Sequence, residues 1–205
     1  MKKLQFLLLI SVLICSFTAC KKGDEDPFFS FYSREKRMTG EWKVSEGEIR
    51  YHNPPSNSYY ENYKADKISI NYSDEYYNYI GDGTYYWNFS IKKNGKYTIT
   101  KFINVIYYKS DKSEEEGVWY FLNKNKNAGY KNKECIAFQP TKFNYNNVVE
   151  FESENRNPDV YEIIELKNKE IKLKRTYSYD HKQPPNGFVE SLDESFTMIP
   201  QDQDF

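Results

Sequence analysis

The sequence predicts an all-β chain: an antiparallel up-and-down barrel of roughly eight to ten strands, preceded by one short helix. Three observations predict it. From Glu41 onward apolar residues recur at every second position, the period of a half-buried strand. Asn94-Gly95 sits between two such alternating runs, a strong short-range hairpin signal. Further short runs follow in regular succession, separated by Gly, Pro, Asn and Asp, which is the rhythm of a sandwich or barrel. No internal repeat is visible.

Ahead of the barrel stands a segment that reads as one to be removed. Met1-Lys2-Lys3 is a cationic start, and Leu4 to Phe17 is an apolar core interrupted only by Gln5, Ser11 and Ser16. That core is too short to span a bilayer, which takes about 20 apolar residues. Ordinary signal cleavage wants a small residue three places before the cut, where Phe17 stands. Phe17-Thr18-Ala19-Cys20 instead resembles the lipobox of bacterial lipoproteins. The resemblance implies a signal peptide over 1–19, a mature N-terminus at Cys20 and acyl chains such as palmitate on that residue. Each buried acyl CH₂ contributes about 0.8 kcal/mol, so several chains anchor a protein almost permanently.

Lys21 to Asp26 is too hydrophilic to pack and reads as a tether, completing the segment 20–26. Its acids, preceded by Lys21, Lys22 and Gly23, resemble the surface-export signal of Bacteroidota lipoproteins. The location implied is the outer membrane, on its periplasmic or cell-surface side. The remainder, 27–205, reads as a single domain large enough for its own core.

The elements follow in order. Asp26-Pro27 offers an N-cap and a first helical residue, and Phe28, Phe31 or Tyr32, Glu35 and Met38 fall at helical spacing before Gly40. A helix over Pro27 to Met38 is expected. Trp42 and Val44 then alternate, and Gly47 permits a bulge that shifts the phase to Ile49 and Tyr51. His52 to Ser58 reads as a loop, with long Asn/Tyr/Lys-rich connections over 52–66, 73–83 and 123–133. Ile68, Ile70 and Tyr72 mark the next strand. Tyr85, Trp87, Phe89 and Ile91 alternate before Asn94-Gly95, and Tyr97, Ile99, Ile103 and Val105 on the return.

Asp111 to Glu116 reads as a solvated acidic loop and Val118 to Leu122 as a short apolar run. Glu134 to Gln139 is a strand closed by Pro140, and Val148 to Phe151 a weaker one. Tyr161 to Leu166 and Glu170 to Tyr177 form a second hairpin. His181 to Gly187 is a Pro/Gly loop before a last strand carrying Phe196 and Met198.

Composition narrows the partners. The chain carries 29 basic and 30 acidic residues; losing Lys2 and Lys3 moves its formal net charge only from −1 to −3. Nucleic acid is therefore not an implied partner. With Cys15 in the leader and Cys20 lipidated, Cys135 is the remaining thiol, set in a strand-like run and read as packed and inert. The two histidines, His52 and His181, show no metal-ligand spacing with Cys or acids. No nucleophile elbow, phosphate loop or dinucleotide fingerprint occurs, so no cofactor, metal or catalytic residue is expected.

Gly40-Glu41-Trp42, directly after a helix and opening the first strand, resembles the Gly-x-Trp start of lipocalins. The stretch from Asp26 to Trp42 behind a lipobox is similar to lipocalin-like lipoproteins of the Bacteroidota, a family of largely unknown function. The resemblance implies a barrel-end cluster in which an arginine of a late strand, here Arg175, lies across the Trp42 indole. It also implies a cup for a small apolar or amphipathic ligand; Tyr85, Trp87, Phe89 and Ile91, inward-facing by their alternation, are the candidates, either as lining of that cup or as packed core beneath it. The alternative is a surface interaction module that binds glycan or protein through its Tyr-rich loops, of which 20 tyrosines give ample supply. A hydrolase would need converging carboxylates, and no pair stands out.

Overall fold

The described elements run in chain order as α1 (Arg34–Met38), β1 (Gly40–Asn53), β2 (Asn57–Lys64), β3 (Lys67–Asp74), β4 (Asn78–Ile91), β5 (Lys96–Val105), β6 (Lys109–Phe121), β7 (Cys135–Tyr145), β8 (Val148–Glu152), β9 (Asp159–Leu166), β10 (Ile171–His181) and β11 (Phe188–Pro200). The computed structural model describes residues 32–53, 57–125, 127, 129, 131–152, 157–181 and 188–205. Cys20, the segment before it and the tether lie outside these residues.

All the ladders are antiparallel, and they run β6-β5-β4-β3-β2-β1-β11-β10-β9-β7. A β6–β7 ladder then closes the sheet into a ten-stranded up-and-down barrel, with β8 added beside β9 on the free side of β7. One irregularity shapes it. β1 pairs with β4 along Gly40–Lys43, then leaves it and pairs with β2 from Glu46 to Asn53. The hairpin β2–β3 is thus wedged between β1 and β4 over half the barrel's height. Its turn is pinned at the fork, where Ala65 N donates to Ser45 O (2.7 Å) and Tyr85 N donates to Asp66 O (3.2 Å). One end of the barrel is consequently narrow and the other flared.

The phase change expected in β1 is present, but the register shift falls between Val44 and Glu46 and not at Gly47, which pairs regularly with Phe196 and Tyr63. Trp42 and Val44 point inward before it, and Ile49 packs on the core after it. β4 and β5 form the expected hairpin with Ile91 opposite Tyr97. Its turn differs from a two-residue primed one. Lys92 N donates to Lys96 O (2.9 Å) and Gly95 N to Lys92 O (3.1 Å), which leaves a three-residue loop. Gly95 alone takes the left-handed conformation there, at φ +81°.

Several expectations are corrected. The helix is shorter than expected: Ser33 is extended and caps it by accepting from Lys36 N (3.1 Å), and the Asp26-Pro27 start lies outside the described residues. Much of 52–66 and 73–83 is strand, supplying β2 and the first half of β4. Asp111 to Glu116 is no loop but the middle of β6. Pro140 does not end its strand; it is tolerated inside β7 because the ladder to β6 shifts register at Glu116/Gly117, opposite it.

The narrow end is filled. Trp42 is 3% exposed, and Met38, Ile91, Leu166, Ile171 and Met198 belong to the same buried cluster. Its Nε1 donates to Met38 O (3.0 Å), closing the chain from α1 into β1. Gly40 is needed beneath it: at φ +155° a Cβ there would meet the indole nitrogen at 3.2 Å. Arg37 Nη1 donates to Leu166 O and ties α1 to the end of β9. The chain therefore enters the barrel at its narrow, closed end.

Two substitutions test this framework by chemical denaturation. Trp42→Ala removes a buried indole and is expected to cost about 3–5 kcal/mol, a large share of the roughly 5–15 kcal/mol that holds a typical domain. Gly95→Val forces a β-branched residue into the left-handed region, at about 1–2 kcal/mol or more, whereas Gly95→Asn should cost distinctly less. Equal midpoints for the Val and Asn variants would contradict the turn geometry.

Candidate functional site

Above its floor the barrel is lined by charge. Cross-strand register explains how. Ile49 of β1 lies opposite Glu61 of β2 on one side and Glu194 of β11 on the other, and Glu194 in turn faces Arg175 of β10. These residues share the inward parity of the core positions. Two carboxylates thus stand on one row of the inner wall, 2% and 5% exposed respectively.

Neither is left unpaired. Glu61 accepts from the hydroxyls of Tyr59 and Tyr63. Lys101 of β5 reaches across the lumen to 3.4 Å from its Oε2, and Lys109 of β6 to 3.7 Å from its Oε1. Glu194 accepts from Tyr161 Oη (2.9 Å) and pairs with Arg175 Nη2 (2.7 Å). Arg175 also pairs with Asp159, and its guanidinium lies 4.9 Å from the centre of the Tyr161 ring. Lys101 Nζ sits over Trp87 (4.3 Å) and Tyr63 (4.9 Å), joining the charged layer to the aromatic floor. Glu115 accepts from Tyr97 Oη (2.7 Å), and Lys109 adds Asp111 (3.7 Å).

Protonation follows from this geometry. Burial opposes the charge on Glu61, but Lys101, the two phenols and Lys109 together hold its carboxyl below the usual glutamate value. Burial pushes Lys101 below the ordinary lysine value, against the pull of Glu61 and Glu194. Burial, then the neighbouring carboxylates, raises the phenols of Tyr59, Tyr63, Tyr97 and Tyr161, so they stay protonated and act as donors. Cys135 is buried in β7, and desolvation together with Glu162 and Glu134 pushes its thiol up to about 11. A thiol so held stays protonated at neutral pH.

The inward-facing candidates of β4 land on the floor of this lumen. Tyr85, Trp87, Phe89 and Ile91 are all buried. Tyr85 Oη donates to Val44 O (3.0 Å). Trp87 packs on Phe196 (4.8 Å between centroids) and Tyr63 (5.6 Å), and Phe89 on Phe196 (5.6 Å) and Phe138 (6.1 Å). Trp87 and Phe89 also pack on each other (5.7 Å), and Tyr85 meets the Tyr63 ring edge-on (4.7 Å). The pairing of Trp42 with Arg175 is corrected: Trp42 lies opposite Pro200 and Arg175 opposite Glu194, six residues apart on β11, or about 20 Å along the strand. Two acids hold Arg175 in the charged layer.

The flared end carries exposed rings. Asp74 accepts from Tyr76 N (2.8 Å), Tyr77 N (2.6 Å) and Tyr72 Oη (2.7 Å), which fixes the β3–β4 turn. Tyr79 stacks between Tyr77 (6.4 Å, 16°) and Tyr108 (4.4 Å, 11°), so this turn and the β5–β6 turn form one surface. Tyr79 Oη donates to Ile106 O (3.2 Å), and Tyr108 N donates to Val105 O (3.1 Å). Between them Tyr107 is held at φ +64° with its side chain fully exposed. A non-glycine residue in that region costs about 1–2 kcal/mol, and here the strain presents a ring to solvent.

Comparison of the chain with protein-family models, with curated proteins and with solved structures returned no match. Among the described residues no group of His, Cys, Asp and Glu has the arrangement of a metal site.

The charged layer has a measurable pH signature. A carboxyl depressed in the folded state contributes stability that is full above its unfolded value, about 4.3, and that is lost as pH falls through its folded one. Wild-type stability should therefore drop on acidification below about pH 4.5, and Glu61→Gln should flatten that part of the profile. Lys101→Met strands Glu61 with one cation fewer, and is expected to cost on the order of 3 kcal/mol at neutral pH. A pH profile unchanged by Glu61→Gln would show that Glu61 is not the ionised centre of this layer.

Proposed function

We propose that the protein is a lipid-anchored outer-membrane protein, held by Cys20, whose barrel is a rigid support for a protein-binding surface at its flared end. The carrying observation is the rim of Tyr76, Tyr77, Ile106 and Tyr107, exposed on two turns that stack on each other through Tyr79 and Tyr108. Tyrosines are favoured anchors of protein interfaces, because they bury a large rigid area at little entropic cost. The chain enters at the opposite, closed end. A Cys20 anchor, at most about 40 Å of chain before the first described residue, thus favours an orientation with the rim away from the membrane.

The lumen supports this reading over a small apolar ligand. Its floor is occupied by interlocked rings, and an apolar molecule above the floor would strip water from Lys101 and Lys109 without replacing it. The reading makes the protein a binder and not an enzyme, and it needs no cofactor.

Two experiments test it. Mass spectrometry of the native protein should find an acylated peptide beginning at Cys20, and Cys20→Ser should release the protein from the membrane with its fold intact. A photo-crosslinking residue at position 107 should capture one envelope protein, and the same residue at position 43, near the closed end, should not. Tyr76→Ala with Tyr107→Ala should then weaken that partner's binding about tenfold or more. Crosslinks from both positions alike, or a partner indifferent to the double variant, would refute the rim as the binding surface.

A further inference from the structure

The outer face of β1–β4 carries a second surface, different in chemistry from the rim. Two rows of outward side chains cross these four strands. In the first, Arg50 lies opposite Tyr60, Tyr60 opposite Asn71, and Asn71 opposite Ile80. In the second, two residues nearer the flared end, His52 lies opposite Ser58, Ser58 opposite Ser73, and Ser73 opposite Asn78. Each row spans three inter-strand spacings, about 14 Å. Short serines in the middle of one row beside longer side chains in the other leave a trough of 730 Å³.

The trough is walled rigidly. Arg50 lies over the Tyr60 ring (5.4 Å) and pairs with Glu48 (2.9 Å). Tyr60 Oη donates to Glu48 (3.4 Å) and accepts from Asn62 Nδ2 (3.1 Å). The ring is therefore held in place, and the guanidinium's charge is already countered. At the other end Ile80 is 78% exposed, a bare apolar wall. Between these walls the side chains of Asn71, Asn78, Ser58 and Ser73 make no hydrogen bond to the described residues. In the lumen, by contrast, both buried carboxylates are paired.

We infer that this trough is a binding site for a neutral oligosaccharide of about three sugar units. Amides and hydroxyls with open donor and acceptor capacity match vicinal hydroxyl groups, each of which both donates and accepts. The side of the Tyr60 ring away from Arg50 and the aliphatic wall of Ile80 match the apolar faces of pyranose rings. A three-unit chain matches the 14 Å rows, since a pyranose repeat is comparable to one inter-strand spacing. None of the rim residues Tyr76, Tyr77, Ile106 and Tyr107 lines this trough. An anionic sugar finds no uncommitted guanidinium here, because Glu48 holds that of Arg50.

Titration calorimetry of the full-length protein with cellotriose, maltotriose, mannotriose and chitotriose tests the assignment, with trigalacturonate as the anionic comparison. At least one neutral trisaccharide should bind. Asn71→Ala should weaken it about tenfold, a loss of about 1.4 kcal/mol, and Ser73→Tyr, which fills the trough, should abolish binding. Tyr107→Ala should leave it unchanged. The Asn71→Ala change is on an exposed side chain, so it reads binding even where the bulkier variant disturbs the sheet. Four outcomes would overturn the site: no neutral trisaccharide binds, trigalacturonate alone binds, binding is indifferent to both Asn71→Ala and Ser73→Tyr, or binding is lost only with Tyr107→Ala. Rim binding lost with trisaccharide binding intact would count against the proposed protein interface alone.

Discussion

The wedge that β2 and β3 drive between β1 and β4 sets the character of everything above it. A barrel widens with the number of strands around it. At the narrow end opposite walls are close enough for side chains to interlock, and Phe89, Phe138, Tyr161, Trp87 and Phe196 meet ring to ring. Above the fork the walls draw apart, and the space is crossed by the longest side chains available. Lys101 and Lys109 span from β5 and β6 to Glu61 on β2. A buried ion pair is weak evidence of stability, since desolvation offsets most of its attraction. Here its use is geometric: it fixes the distance between walls that no apolar side chain would bridge, and the phenols around it satisfy the remaining lone pairs.

That same polar lumen explains which parts of the fold were legible in the sequence. Where the interior is apolar, alternation pointed to the right residues: Trp42 and Val44, then Ile49 after the bulge, and the β4–β5 hairpin. Where the interior is charged, the rule that inward means apolar failed. Tyr59, Glu61 and Tyr63 alternate correctly, but a glutamate at the central position disguised β2 as a loop. Asp111, Ser113 and Glu115 face the lumen from β6 for the same reason, and they looked like a solvated acidic turn. The available signal was Lys101, which keeps strict parity between Ile99 and Ile103 in an otherwise regular strand.

The misplaced partner of Trp42 follows from the same division. Position on a late strand put Arg175 near the barrel's end, but only register could show which end of β10 it occupies. Opposite Glu194, it belongs to the charged layer, where two carboxylates compete for it more strongly than an indole would. Trp42 is instead satisfied locally by Met38 O and by the glycine two residues before it. The Gly-x-Trp pattern thus has a complete physical account without a cationic partner: the glycine makes room for the indole, and the indole closes the chain's entry.

Both exterior surfaces lie wholly or partly on the sector that the wedge creates. A barrel in which β1 stayed paired with β4 would lack β2 and β3, and with them Tyr60, Asn71, Ser58 and Ser73 of the trough. It would also lack the turn that carries Tyr76 and Tyr77. The hairpin brings a fold-level cost, since it flares the barrel and obliges it to bury charge. Its outward face completes a four-strand platform with β1 and β4, and the β3–β4 turn that follows it stacks on the β5–β6 turn. The rim concentrates exposed rings and a strained residue, whereas the trough offers unstrained strand with open amides and hydroxyls. Those chemistries do not suit one partner: the first rewards burial of apolar area, the second rewards replacement of water by matched hydrogen bonds. Two surfaces of different chemistry thus follow from the insertion, one from the outward parity of its strands and one from the turn that leads out of it into β4.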